Sequence, residues 1–218
     1  MSSLALMRWL EGSPGRYDAG MQALTFGRVG RLHAAVAGAA VVSLGDRVLE
    51  VGCGTGTVTA LMLERGARVT AIDQAPEMLE QSRSRLGAPA VEVEWIEQTA
   101  AEIDRFAAGS YQAVVLSLCL SDMSPSERAF VLAQAARCLA PGGRLVVADE
   151  VRAPSGWRRV LQGVMRVPQA AAGWLLVGSV SRPIPDLQSE LRATGLSLAE
   201  PRSWLMGTLS LAVAHKGA

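Results

Sequence analysis

The stretch Val48-Leu49-Glu50-Val51-Gly52-Cys53-Gly54-Thr55-Gly56 decides the fold. Its opening is an apolar run of the kind that forms a buried strand, broken only by Glu50. Three glycines then fall at alternate positions, where backbone approaches a ligand closely or takes a positive φ without a Cβ penalty. Thr57 to Glu64 follows as a helical segment. Nineteen residues after Gly54 stands Asp73, which ends a second apolar run, Arg68-Val69-Thr70-Ala71-Ile72-Asp73. A carboxylate there suits the two hydroxyls of a ribose.

The spacing argues against two common alternatives. Thr57 occupies the position of the third glycine in a GxGxxG loop, which weighs against NAD or FAD. No GxxxxGK[ST] occurs, which weighs against a nucleoside triphosphate loop.

Outward from the loop, Tyr111–Ser117 and Arg144–Asp149 read as further buried strands, and Val91–Ile96 as a half-exposed one. Pro76–Leu86 and Ser126–Leu139 read as helices; Ser124 is placed to cap the second, which stops before Pro141-Gly142-Gly143. Continuous apolar strands alternating with helices predict an α/β fold, a doubly wound Rossmann-like, mostly parallel sheet. Leu187–Gly195 reads as a helix, and Leu196–Glu200 and Met206–Ala214 as an antiparallel hairpin joined through Pro201-Arg202-Ser203-Trp204. The expected organisation is a single domain over 1–218. Residues 1–44 form a helical lead-in, 45–150 the cofactor-binding core, 151–185 a hydrophobic helical insert, and 186–218 the terminal helix and hairpin.

Composition narrows the partners. Half of the 218 residues are hydrophobic and only 19% are charged, which excludes intrinsic disorder. A net charge of +1 leaves no field to steer nucleic acid, so none is expected as a partner. Cys53, Cys119 and Cys138 form no CxxC pair and no cluster with histidine, so neither a disulfide framework nor a metal site is expected. Met1–Arg8 lacks the pattern of a secretory signal, and a cytoplasmic location is expected. The apolar excess concentrates in 157–180. Its longest uncharged part, Val167–Val180, has 14 residues, short of the ~20 that span a bilayer. With Trp157, Trp174 and flanking arginines, the segment suits a membrane interface, a protein partner, or a cap over an apolar substrate pocket.

Taken in order, Val48–Gly56, Asp73, Tyr111–Leu118 and Leu139-Ala140-Pro141-Gly142-Gly143-Arg144-Leu145 resemble class I S-adenosylmethionine-dependent methyltransferases. The likeness is to the branch of ubiquinone/menaquinone-biosynthesis enzymes. Met7–Glu11, Arg16–Gly20, Leu24–Arg28 and Ala148–Arg152 are similar, more narrowly, to corrinoid protein-associated methyltransferases. The resemblance implies S-adenosyl-L-methionine as cofactor. Glu50 and the backbone of Gly52, Cys53, Gly54 and Gly56 would contact its amino-acid end and sugar, and Asp73 its ribose diol. Gln74 and Met78 would pack near the adenine, Thr99 and Ala100 along its edge, Ser117 beside the methionine part, and Tyr17 over the cofactor. One departure is Gln98-Thr99-Ala100-Ala101, where relatives usually carry an acid for the adenine amino group. That contact would fall to backbone or to Gln98.

The expected function is methyl transfer to a small, apolar acceptor or to a membrane- or corrinoid-associated one. The activated methyl needs positioning more than chemistry. Asp149, Glu150 and Asp122, at the carboxyl ends of strands, are the candidates for a base. The alternative is a non-catalytic S-adenosylmethionine-binding subunit of a corrinoid or membrane-bound partner. Cys53 reads as a small filler within the loop, and His33 and His215 as ordinary histidines.

Overall fold

The computed structural model describes residues 27, 29–88, 92–153, 156–157 and 182–217. Its elements, in order, are α1 (Val29–Ala40), β1 (Arg47–Val51), α2 (Thr57–Leu63), β2 (Arg68–Asp73), α3 (Pro76–Leu86), β3 (Glu94–Glu97), β4 (Tyr111–Ser117), α4 (Pro125–Cys138), β5 (Leu139–Glu150), α5 (Leu187–Arg192), β6 (Ser197–Leu198), β7 (Arg202–Trp204) and β8 (Leu209–His215). Short 3₁₀ turns cover Ala100–Arg105, Leu120–Asp122 and Leu205–Gly207. The strands form one sheet in the order β3-β2-β1-β4-β5-β8-β6, with β7 beside β8. β1 to β5 run parallel, and β8 lies antiparallel to β5.

Strand periodicity divides the core into two layers. Leu49 and Val51, Val114 and Leu116, and Leu145 and Val147 face Val131, Leu132 and Ala135 of α4 and Leu187 and Leu191 of α5. The intervening Val48, Ala113, Val115, Val146 and Ala148 face Leu32, Val36 and Ala37 of α1, Met62 of α2 and Leu79 of α3. Both faces of the central strands are therefore covered, which is why their sequences are continuously apolar. Chain order reverses between β1 and β4, and this switch point places the glycine loop opposite the end of β4.

Three details depart from expectation. β3 is only Glu94–Glu97. β5 begins at Leu139 and carries Pro141-Gly142-Gly143 within it, with a register shift against β4 between Tyr111 and Ala113. Gly143 permits this because a Cβ there would stand 2.8 Å from the carbonyl oxygen of Ala140. Finally, Arg202–Trp204 is not a linker but a strand, pairing with Leu209–Leu211 while Ser197–Leu198 pairs with the far end of β8. Two short strands thus share one edge.

After β5, Val151 bridges Ile184, the Arg152 N–H donates to the Ile184 carbonyl at 2.9 Å, and the Ile184 N–H to that of Glu150 at 2.9 Å. The chain leaves and rejoins the sheet at one place. Residues 154–155 and 158–181, which hold most of the hydrophobic insert, lie outside the described residues. Among the described residues, no helix is long and apolar enough to cross a membrane.

Candidate cofactor site

β1 delivers the glycine loop to the carboxyl edge of the sheet. The N–H groups of Gly52 and Cys53 both donate to the Ile72 carbonyl, at 2.9 and 3.0 Å, which ties the loop to β2. Gly56 has φ +73°, and a Cβ on it would stand 2.9 Å from Cβ of Ser82, so only glycine fits between loop and α3. A Cβ on Gly54 would meet nothing within 4 Å, so the middle of the loop faces open space. Asp73 reaches this loop directly. Its Oδ2 accepts from the Gly54 N–H at 2.8 Å and its Oδ1 from that of Ala75 at 3.0 Å.

Charge is the most informative property of the site. Glu50 is 2% exposed and accepts one hydrogen bond, from the Thr59 hydroxyl at 2.5 Å. Burial pushes its carboxyl up to about 8, against the pull of the Thr59 bond and with a further rise from Asp73. Burial also raises Asp73, against three backbone N–H groups, and raises Asp149 to about 6. Among the described residues, no Lys, Arg or His pairs with Glu50 or Asp73. A buried acid without a cation is costly and calls for a positive ligand. S-adenosylmethionine carries two such charges, an ammonium and a sulfonium, and the donor set fits it.

Across the switch point, Ser117 Oγ is buried and has no hydrogen-bond partner among the described residues, an orphan of the kind a ligand satisfies. Leu118 follows with φ +58°, and Cys119 turns in against the loop, its thiol 3.5 Å from the Val51 carbonyl and its Cβ 3.0 Å from where Gly52 would carry one. Burial and nearby acids raise both Cys53 and Cys119, so neither is an activated nucleophile.

The structure brings Glu50, Gly52, Cys53, Gly54, Gly56 and Asp73 together and sets Ser117 opposite. Gln74, exposed, and Met78, half-buried, follow in the turn into α3. Thr99 caps the 3₁₀ turn through a reciprocal pair with Glu102, and Ala100 opens that turn. Gln98 is buried, with its amide nitrogen committed to the Glu102 carbonyl at 2.7 Å. Tyr17 lies outside the described residues.

The three acidic candidates separate. Asp149 is wholly buried; its Oδ2 accepts from the N–H groups of Leu120 and Ser121 at 2.7 and 3.3 Å, and its Oδ1 from Glu150 at 2.7 Å. It holds the loop after β4 in place. Asp122, on that loop, reaches solvent and feels Glu150: desolvation first, then the Glu150 charge, raise its carboxyl.

Sequence reasoning missed Ser82 and Thr59. Thr59 leaves one trace, a hydroxyl on the apolar face of α2. Ser82 leaves none, because nothing local marks a helical serine whose partner lies 28 residues back.

Comparisons with known proteins agree with this geometry. Residues 48–143 match a family model described as a methyltransferase domain. A ubiquinone biosynthesis O-methyltransferase from Xanthomonas oryzae is 35% identical over 119 residues, 55% of this chain and 49% of that protein. A demethylmenaquinone methyltransferase from Thermus thermophilus is 34% identical over 143 residues, 65% of this chain and 64% of that one. The chain thus matches about half the length of the first of these relatives. The solved structure of an O-methyltransferase family protein from Burkholderia thailandensis shares the fold, with a TM-score of 0.69 at 21% identity, over 90% of this chain and 59% of that one. Residues 48–143 thus match a methyltransferase domain on a 3-2-1-4-5 parallel sheet shared with that solved structure, and carry a glycine loop and a buried Glu50 that fit S-adenosylmethionine.

Proposed function

We propose that this chain methylates a hydroxyl of a small apolar acceptor of the quinone-precursor kind. The observation that carries the reading is Asp122, exposed on the loop after β4 and raised by desolvation and by the Glu150 charge, beside a site whose Glu50 asks for a cation. A carboxylate so raised is a stronger base than an ordinary one, which suits removal of a phenolic proton. A thiolate or a reduced corrinoid needs no base, so Asp122 favours the hydroxyl acceptor over the corrinoid one. The names of the relatives point the same way.

S-adenosylmethionine supplies, when bound, a methyl group activated by positive sulfur. The chain's own work is placement. Glu50 receives the ammonium, Asp73 the ribose diol, and Ser117 lends its free hydroxyl to the methionine end. Asp149 fixes the loop that carries Asp122, and residues 157–180 give an apolar acceptor or a membrane surface somewhere to rest.

The test is transfer of labelled methyl from S-adenosylmethionine to three acceptors: a short-tailed hydroxyquinol, cob(I)alamin, and extract of membranes. Label in the quinol, lost in Asp122→Asn/Glu150→Gln, is the expected result. Label only in the corrinoid overturns the acceptor assignment, and cofactor binding without transfer to any arm favours the accessory-subunit alternative.

A further inference from the structure

The middle of the glycine loop is tethered from two sides by side chains. Ser82, wholly buried on α3, donates its hydroxyl to the Gly54 carbonyl at 2.7 Å. On the other side, the Gly54 N–H donates to Asp73 Oδ2 at 2.8 Å, while Ala75 holds Oδ1. Gly54 has no side chain and φ +53°, and a Cβ there would touch nothing within 4 Å. Its peptide planes are held instead by hydrogen bonds: the 53–54 plane by the Gly54 N–H on Asp73 and by the Gly56 N–H on the Cys53 carbonyl at 3.0 Å, and the 54–55 plane by Ser82. The absence of a Cβ on Gly56 lets Ser82 come this close to the loop.

We propose that Ser82 is a positioning residue for the cofactor: by holding the Gly54 carbonyl it keeps the Gly54 N–H on Asp73, and so keeps the Asp73 carboxylate turned toward the ribose. The relay runs from α3 through one glycine to a carboxylate on β2. It rests on the reading that Asp73 binds the ribose of S-adenosylmethionine. Without Ser82 the 54–55 peptide rotates more freely, and Asp73 must be reoriented each time a ligand binds, a cost charged to affinity.

The experiment is calorimetric titration of S-adenosylhomocysteine into the wild type, Ser82→Ala, Asp73→Asn and the double variant, with adenosine as a second ligand. Losing one neutral hydrogen bond that acts on binding weakens affinity by about 3- to 10-fold. That loss is expected for Ser82→Ala with both ligands, since both carry the ribose. In the Asp73→Asn background the same change is expected to cost less than about twofold, because residues acting in one relay are not additive. Equal costs in both backgrounds, or a lowered melting temperature with unchanged affinity, overturn the relay and leave Ser82 as packing. Failure of the wild type to bind S-adenosylhomocysteine overturns the cofactor reading, and the relay with it.

Discussion

The two ends of the parallel strands treat buried acid in opposite ways. At the amino end, Asp46 is satisfied by the N–H groups of Val42 and Ser43 at 3.0 and 3.1 Å and by Arg144 at 3.5 Å. On the flank, Glu190 is gripped by Arg128 through two bonds of 3.0 and 2.9 Å. At the carboxyl end Glu50 is as deeply placed, yet no cation of the described residues joins it, while Asp149, also buried, is held by backbone N–H groups much as Asp46 is. The difference separates charge that serves the fold from charge that waits for a ligand.

The strongest way to break the comparison is to remove Glu50. Glu50→Ala is expected to weaken S-adenosylhomocysteine binding by about 100-fold, within the 2–5 kcal/mol typical of a buried charge pair broken on one side. Calorimetry that shows less than a tenfold loss would put Glu50 among the merely structural acids. Next in size is pH. A carboxyl raised to about 8 binds its proton in the free protein at neutral pH, and a cationic ligand needs it ionised. Affinity is therefore expected to climb by up to about tenfold per pH unit between 6 and 8 and then level. The sign for folding is the reverse: the native state holds that proton above its ordinary 4.5, so Glu50 lowers the stability of the free protein as pH rises from 4.5 to 8. A pH-independent affinity would contradict the assignment. The smallest effect belongs to the other end. Arg144→Ala is expected to lower stability by about 1–3 kcal/mol, since Asp46 keeps its backbone donors, while leaving affinity for S-adenosylhomocysteine unchanged. Denaturant unfolding beside calorimetry separates the two.

How much was legible in the sequence follows from what is local. Val48–Gly56 and Asp73 could be read because each lies where strand meets turn, and the turn chemistry is written in adjacent residues. The two-layer core could be read because alternation along a strand is local as well. Asp149 was legible as a residue at a strand end but not as the anchor of the next loop. That role depends on Leu120 and Ser121 arriving beside it from another strand. The strand formed by Arg202–Trp204 was hidden for the same reason: its pairing partner, not its composition, makes it one. The bond from the Gln98 amide to the Glu102 carbonyl is likewise a feature that no sequence pattern marks.

The bridge between Val151 and Ile184 has an evolutionary consequence. Because the chain leaves and returns at one hydrogen-bonded point, whatever lies between closes a loop whose ends are already held. Lengthening such a loop costs little, about 0.6 kcal/mol for each doubling. The stretch between can therefore be exchanged, extended or reinvented without disturbing the glycine loop or the acids beneath it. Under the function proposed above, replacing that stretch changes what meets the acceptor and leaves Glu50, Asp73 and the glycine loop where they are.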